Sequence, residues 1–239
     1  MAFLRIYKDW FVAKIVTLLK KKPFHLRTHI DYLVLSVKTA GFLPKNIIAL
    51  ELFGMYGLYL TKHYAYYCDH IDMWEIDPNY VRYAKKFREP NVTIIQGDSV
   101  SAVRNGTITK KYNFLMIDNP LISPYGDGLT EHFDVMPQIF DLADNSFIVI
   151  FNIILAEPES LYEEYHFTSE AHQKKLFTWI EKRKVFYQNP NGFTLKPQEY
   201  VKVYESKFKQ WGLDVEFSAY QPRSMKVGFL AFALKKRHI

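Results

Sequence analysis

The chain has one cysteine, Cys68, so neither an intrachain disulfide nor a cysteine-cluster metal site can form. That suits a reducing compartment, and no acyl-enzyme motif surrounds the thiol. No apolar run is long enough to cross a bilayer as a helix. The opening stretch, MAFLRIYKDWFVAK, carries charge inside its apolar run and has no small-residue cleavage site. It does not read as a secretory signal, and a cytoplasmic protein is expected. His63, His70, His132, His166 and His172 are scattered without the spacing of a metal site, so no metal is expected. The G-x-G-x-x-G turn of a nicotinamide dehydrogenase is missing. No internal repeat or low-complexity tract interrupts the chain.

What remains is the composition of a folded domain. The 239 residues fit one domain, or one domain with a terminal extension. Apolar residues make up 49%, enough for a substantial core and too many for disorder. Aromatics reach 17%, which fits a core rich in Phe and Tyr or a pocket for a flat ligand. The net charge of +6 is compatible with an anionic substrate, nucleic acid or an anionic membrane surface.

Hydrophobic periodicity predicts two helices first, over 3–22 and 25–41. The first ends at Lys20-Lys21-Lys22-Pro23 and the second at Gly41. Strands and helices then alternate. Strands are expected over 46–52, 70–75, 92–96, 112–118 and 147–155. A helix is expected after Gly57 through Tyr67, and another over 78–88 opened by Pro78. This order predicts a parallel, doubly wound sheet. The end of the chain differs. A helix over 198–211 precedes strands over 214–220 and 227–234, and the connection between those strands is too short for a crossover helix. They should pair antiparallel. Residues 156–197, helical over about 170–187, read as an insertion over the active site.

Four chemical elements fall at strand ends. Glu51-Leu52-Phe53-Gly54-Met55-Tyr56-Gly57 closes the first strand. Its glycines let backbone approach a ligand, and the following helix presents free N–H groups; a plain tight turn would look the same. Glu75 ends the second strand, 21 positions after Gly54. A carboxylate there can accept from both hydroxyls of a ribose; a surface acid before a turn is the plain alternative. Gly97-Asp98 ends the third strand. Asp98 could accept from an adenine amino group, but Asp98 and Ser99 are equally good helix caps. Asp118-Asn119-Pro120 ends the fourth. Ligands of open α/β sheets bind at these carboxyl ends, so the coincidence outweighs each piece.

With those residues in view, the chain from about 45 to 236 resembles class I S-adenosylmethionine-dependent methyltransferases. The 51–57 segment is similar to their acidic, glycine-rich first motif, closest to the D-L-F-x-G-x-G style of some DNA methyltransferases. Glu75 matches the ribose-binding acid, Asp98 the adenine-side acid, and Asp118-Asn119-Pro120 the motif beside the reacting methyl. Met55 departs from the pattern, standing where the family usually has glycine. The resemblance implies a Rossmann-like α/β domain with a mostly parallel seven-stranded sheet and an antiparallel strand near the C-terminus. It implies S-adenosylmethionine as cofactor, bound by Glu51, Gly54, Gly57, Glu75, Asp98 and Ser99. It implies Asp118 and Asn119 as catalytic residues, acting on a small-molecule or nucleic-acid acceptor.

Further expectations attach to the flanking segments. Residues 1–44 should form a helical extension to a domain over 45–239. The basic segment 3–22, with Trp10 and Phe11, could lie on an anionic membrane surface, or pack on the sheet. Tyr125, Tyr162, Tyr165 and His166 are candidates for the acceptor pocket, with Trp179 beside them and His132 a lesser candidate after the fourth strand. Asn119-Pro120-Leu121-Ile122 is similar to the Asn-Pro-Pro-Tyr signature of amino-methylating nucleic-acid enzymes, without its second proline and aromatic. The Trp74–Pro78 segment, Val81, Lys85–Phe87, Gly97-Asp98 and the Asp118–Pro120 loop also resemble polyamine aminopropyltransferases, which use decarboxylated S-adenosylmethionine, but their glycine-dense first motif and room for their N-terminal β-domain are absent. A non-catalytic methyltransferase-like binding domain is the third reading.

Overall fold

The computed structural model describes residues 28–55, 57, 60–118, 132–155, 170–190 and 195–237. The expected helix over 3–22 and the first part of the 156–197 insertion lie outside them.

Helix α1, His29–Thr39, opens the described chain. Thr28 caps it: the Thr28 side chain accepts from the Asp31 N–H, and the Asp31 carboxylate accepts from the Thr28 backbone. This reciprocal arrangement satisfies N–H groups that a helix start leaves open, and it sets the start at residue 29 rather than 25. Ile30, Leu33, Val34 and Val37 form one buried stripe, which packs α1 onto the sheet against its last two strands.

Seven strands form one sheet: β1 Ile48–Glu51, β2 His70–Glu75, β3 Val92–Gln96, β4 Tyr112–Ile117, β5 Ala143–Ile154, β6 Leu213–Pro222 and β7 Val227–Lys236. Their order is β3-β2-β1-β4-β5-β7-β6. The first five are parallel. β7 runs antiparallel to both β5 and β6. The sheet is therefore the mixed, mostly parallel one expected. β5 begins four residues earlier than its apolar run, at Ala143. Asp144, Asn145 and Ser146 are exposed within it, so this part of the strand carries no apolar signal.

Helices cover both faces. α2, Thr61–Tyr64, runs into a tighter turn over Ala65–Tyr67, where one continuous helix was expected. α3 is Pro78–Phe87 and α4 is Ser99–Arg104. α5, Glu170–Tyr187, is the helical part of the insertion. α6, Pro197–Gln210, buries Tyr200, Tyr204 and Phe208 at four-residue spacing. Side chains alternate along each strand, so the core divides in two. Ala49, Ile71, Met73, Phe114, Met116, Ile150 and Phe229 face α1, α2 and α3. Leu50, Leu115, Ile117, Val149, Phe151 and Phe232 face α6 and the end of α5. Among the described residues no helix is long and apolar enough to cross a membrane.

Candidate active site

Three carboxyls stand at the ends of adjacent parallel strands, close enough for their charges to act on one another. Glu51 is the last residue of β1 and Glu75 the last of β2; Asp118 directly follows β4. Strands β2, β1 and β4 are neighbours. Glu51 shares the parity of Ala49, Glu75 that of Met73, and Asp118 that of Met116. All three therefore project from the face that carries α1 and α2.

The environments of the three acids differ. Glu51 is 1% exposed. Its Oε2 accepts from Thr61 Oγ1 at 2.8 Å and from the Tyr64 hydroxyl at 2.7 Å. Burial pushes its pKa up to about 8, against those two hydrogen bonds and with the charges of Asp118 and Glu75 adding to the rise. Glu75 is buried too, and burial raises it to about 6. The Asp77 backbone N–H donates to its carboxylate and, with the nearby Met55 and Ile76 backbone, offsets part of that rise. The Asp77 bond is 2.7 Å. Asp118 is also raised to about 6 by burial, partly offset by Arg223, whose Nη1 lies 3.5 Å from Asp118 Oδ2.

The turn after β1 folds back over these strand ends. The Leu52 N–H donates to Met116 O at 3.2 Å and the Gly54 N–H to Trp74 O at 2.9 Å. A Cβ on Gly54 would sit 2.3 Å from Met73 Cγ, so the close approach of loop to β2 needs glycine there. Gly57 has φ +69°. Met55 has φ 48°, so it adopts the left-handed conformation that glycine takes at little cost. The departure from the family pattern thus leaves a glycine-like backbone in place.

Asp98 and Ser99 sit at the start of α4. Asp98 is exposed and caps the helix, accepting from Val100 N–H at 3.0 Å, Ser101 N–H at 3.2 Å and Ser101 Oγ at 2.6 Å. Its capping role is therefore fully developed, and lone pairs left for an adenine amino group are few. Ser99 is buried and donates through Oγ to Leu52 O at 2.5 Å. That bond ties α4 to the turn after β1 and occupies the hydroxyl proton.

Two residues that sequence reading passed over join this face. Arg223 follows β6 and lies over the Phe229 ring, 5.9 Å from its centroid. His29, the first residue of α1, stacks on the same ring at 5.2 Å. Its Nε2 is buried with no hydrogen-bond partner. Burial, then Arg223, lowers its pKa to about 4, against a smaller opposing effect of Asp31, so His29 is neutral near pH 7. The expected antiparallel β6–β7 connection already placed Arg223 at this edge of the sheet; nothing in the sequence singled out His29.

Other candidates lie elsewhere. His132 is fully buried on the opposite face, stacked on Phe151 at 4.6 Å and hydrogen-bonded to the Tyr204 hydroxyl. It belongs to an aromatic core, which removes it as a residue of the acceptor pocket. Trp179 is 1% exposed with the Arg183 guanidinium 5.1 Å from its ring, a packed position rather than an open one. Asn119, Tyr125, Tyr162, Tyr165 and His166 lie outside the described residues. Among the described residues, no group of three or more His, Cys, Asp or Glu side chains could hold a metal ion.

No protein-family model matches the sequence, and no curated protein matches it in sequence. Solved structures do match in fold. The plantazolicin methyltransferase BamL, in complex with a triazolic desmethylPZN analog and SAH, superposes with a TM-score of 0.54 at 10% identity, covering 97% of this chain and 91% of that one. Magnesium protoporphyrin IX methyltransferase from Synechocystis PCC 6803, with bound SAH, gives 0.51 at 12% identity over 87% and 81%. A putative sarcosine dimethylglycine methyltransferase from Galdieria sulphuraria gives 0.51 at 12% over 87% and 84%. The chain thus has the Rossmann-like fold of class I S-adenosylmethionine-dependent methyltransferases.

Proposed function

We propose that the protein is an S-adenosylmethionine-dependent methyltransferase acting on a small-molecule or nucleic-acid acceptor. One observation carries the reading: Glu75, at the C-terminal end of β2, lies by the Met55 backbone of the turn after β1, which the Gly54 N–H ties to Trp74 O beside it at 2.9 Å. One carboxylate thereby joins the strand end suited to a ribose to the loop suited to the rest of the cofactor. A carboxylate has about four acceptor positions, so it can hold backbone N–H groups and still accept from a hydroxyl.

The residues present fit the cofactor in part. Glu75 and the Gly54–Gly57 turn fit a nucleoside approached closely by backbone. Glu51, Glu75 and Asp118 fit a ligand of positive charge. Asp98 fits less well, since its carboxylate is taken up by the cap. When bound, the cofactor supplies a methyl on a positively charged sulfur, already activated as a leaving group. The chain's part is to align an acceptor with that methyl and, where needed, take a proton. Asp118, with its pKa raised to about 6, is placed to orient or deprotonate an acceptor amine or hydroxyl, and Asn119 follows it in sequence. Residues 3–22 remain a candidate contact with an anionic membrane surface, and residues 1–44 a candidate extension to the domain.

Isothermal calorimetry of the purified protein with S-adenosylmethionine tests the reading. Saturable one-site binding supports it; no heat and no thermal shift at millimolar ligand would end it.

A further inference from the structure

Glu51 is a carboxyl inside the fold with no cation among its described partners. The groups facing it are Thr61 and Tyr64 from α2, Cys68 just beyond, Glu75 from the end of β2 and Asp118 from the end of β4. Two of these are acids. Arg223, a cation on this face, engages Asp118 instead. A carboxylate that is 1% exposed among hydroxyls and other acids lacks both water and counter-charge, and such a group is more stable as the neutral acid. A ligand bringing positive charge to these strand ends changes that balance.

We propose that Glu51 is the residue by which this site tells a sulfonium methyl donor from its uncharged thioether product, holding a proton when the site is empty and releasing it when the cation binds. The inference rests on the cofactor reading above. Binding breaks the O–H bond of the Glu51 carboxyl, the electron pair stays on the carboxylate, and the proton passes to buffer. S-adenosylmethionine and S-adenosylhomocysteine share the ribose, adenine, α-ammonium and carboxylate; they differ by one methyl and the sulfur's charge. The new carboxylate therefore favours the donor over the product, which helps product leave. Below about pH 8, where Glu51 is protonated before binding, donor affinity rises with pH, up to tenfold per unit, and then levels.

Calorimetry with S-adenosylmethionine and S-adenosylhomocysteine, each in phosphate and in Tris at pH 7, counts the protons released. The α-ammonium is common to both, so the difference isolates the sulfur charge. The expected result is release approaching one proton with the donor and markedly less with the product. Glu51→Gln should abolish the difference and flatten the pH dependence of donor binding. Equal proton release for both ligands in the native protein overturns the proposal, and this measurement does not depend on the variant folding. Undiminished release in a folded Glu51→Gln protein also overturns it. If neither ligand binds, the cofactor reading itself falls, an outcome distinct from binding without proton linkage.

Discussion

Arg223 reaches Asp118 from a turn two strands away. Asp118 follows β4, Arg223 follows β6, and β5 and β7 lie between those strands; the side chains still close to 3.5 Å. The Phe229 ring under the guanidinium supports the crossing. The pair joins the parallel half of the sheet to its antiparallel end, beside the carboxyl end of β4.

That pairing sets the first expectation. Arg223 is the cation that lowers the Asp118 pKa against its burial. Removing a positive charge disfavours the carboxylate, so Arg223→Met should move Asp118 above its present value of about 6. Carbon-13 NMR of the aspartate carboxyls against pH reads the shift. An unmoved Asp118 midpoint would show that the 3.5 Å approach carries no charge coupling.

Glu75 is proposed to hold the ribose as well as the backbone of its own turn, and two variants separate the two roles. Glu75→Gln keeps one oxygen to accept from the Asp77 N–H and loses the charge. It should weaken S-adenosylmethionine binding by about 1.5–3 kcal/mol, the range for hydrogen bonds to a charged group, with little change in thermal melting. Glu75→Ala also orphans the Asp77 N–H, and should lower the melting temperature as well. Calorimetry and melting of both variants test this; wild-type affinity in both would place the nucleotide elsewhere.

The acids make stability depend on pH in two opposite ways. Glu51, Glu75 and Asp118 titrate higher in the folded protein, at about 8, 6 and 6, than the ordinary 4.5, 4.5 and 3.8. Their contribution is present below the ordinary values and lost as pH rises through the folded ones. Asp31 and Asp72 are shifted the other way. Burial opposes the shift, but Tyr66 and Thr28 hold Asp31 down, and Lys110, His70 and Tyr112 hold Asp72 down. Their contribution is present above 3.8 and lost as pH falls below it. Melting temperature should therefore peak between about pH 4 and 5.5 and fall toward pH 8. Calorimetric scans across that range decide it. A melting temperature that climbs from pH 5 to 8 contradicts the raised carboxyls.

Much of this fold was legible because its signals are local. β2 and β3 are short apolar runs between turn residues, and α3 starts at a proline; their bounds follow from those cues. The antiparallel β6–β7 pair followed from the short connection between the strands. β5 was read short because its first turn-like residues, Asp144 to Ser146, are polar at a solvent-facing edge. The site was legible only as acids at strand ends. That Glu51 is enclosed by Thr61 and Tyr64, ten and thirteen residues on, depends on how the short α2 packs against the end of β1. That Asp98 spends its oxygens on a cap, and that His29 and Arg223 share one phenyl ring, are tertiary facts without a sequence pattern. His132, only a lesser candidate after the fourth strand, packs on Phe151 and bonds the Tyr204 hydroxyl, the core position that was its plainer reading.

Arg183 supplies the last prediction. It is fully buried, on the one helix of the insertion that the structure describes. Its Nη2 donates to the carbonyl of Ile154, the last residue of β5, at 2.9 Å and lies 3.1 Å from the Tyr200 hydroxyl. Its guanidinium lies 5.1 Å from the Trp179 ring and 4.9 Å from the Tyr187 ring. One side chain thus links α5, α6 and the end of β5, and a planar cation suits that place better than an ammonium would. Arg183→Ala removes a large buried side chain together with its hydrogen bonds, and should cost roughly 3–5 kcal/mol, as for truncating a large core residue. Arg183→Met refills much of the volume without the hydrogen bonds. Because the Tyr200 hydroxyl still donates to Ile154 O at 3.2 Å, this variant should lose less, about 1–3 kcal/mol. Urea unfolding of the two variants gives the ordering. Equal losses would mean that packing contributes nothing beyond the hydrogen bonds. A loss below about 1 kcal/mol in both would mean that α5 docks without Arg183.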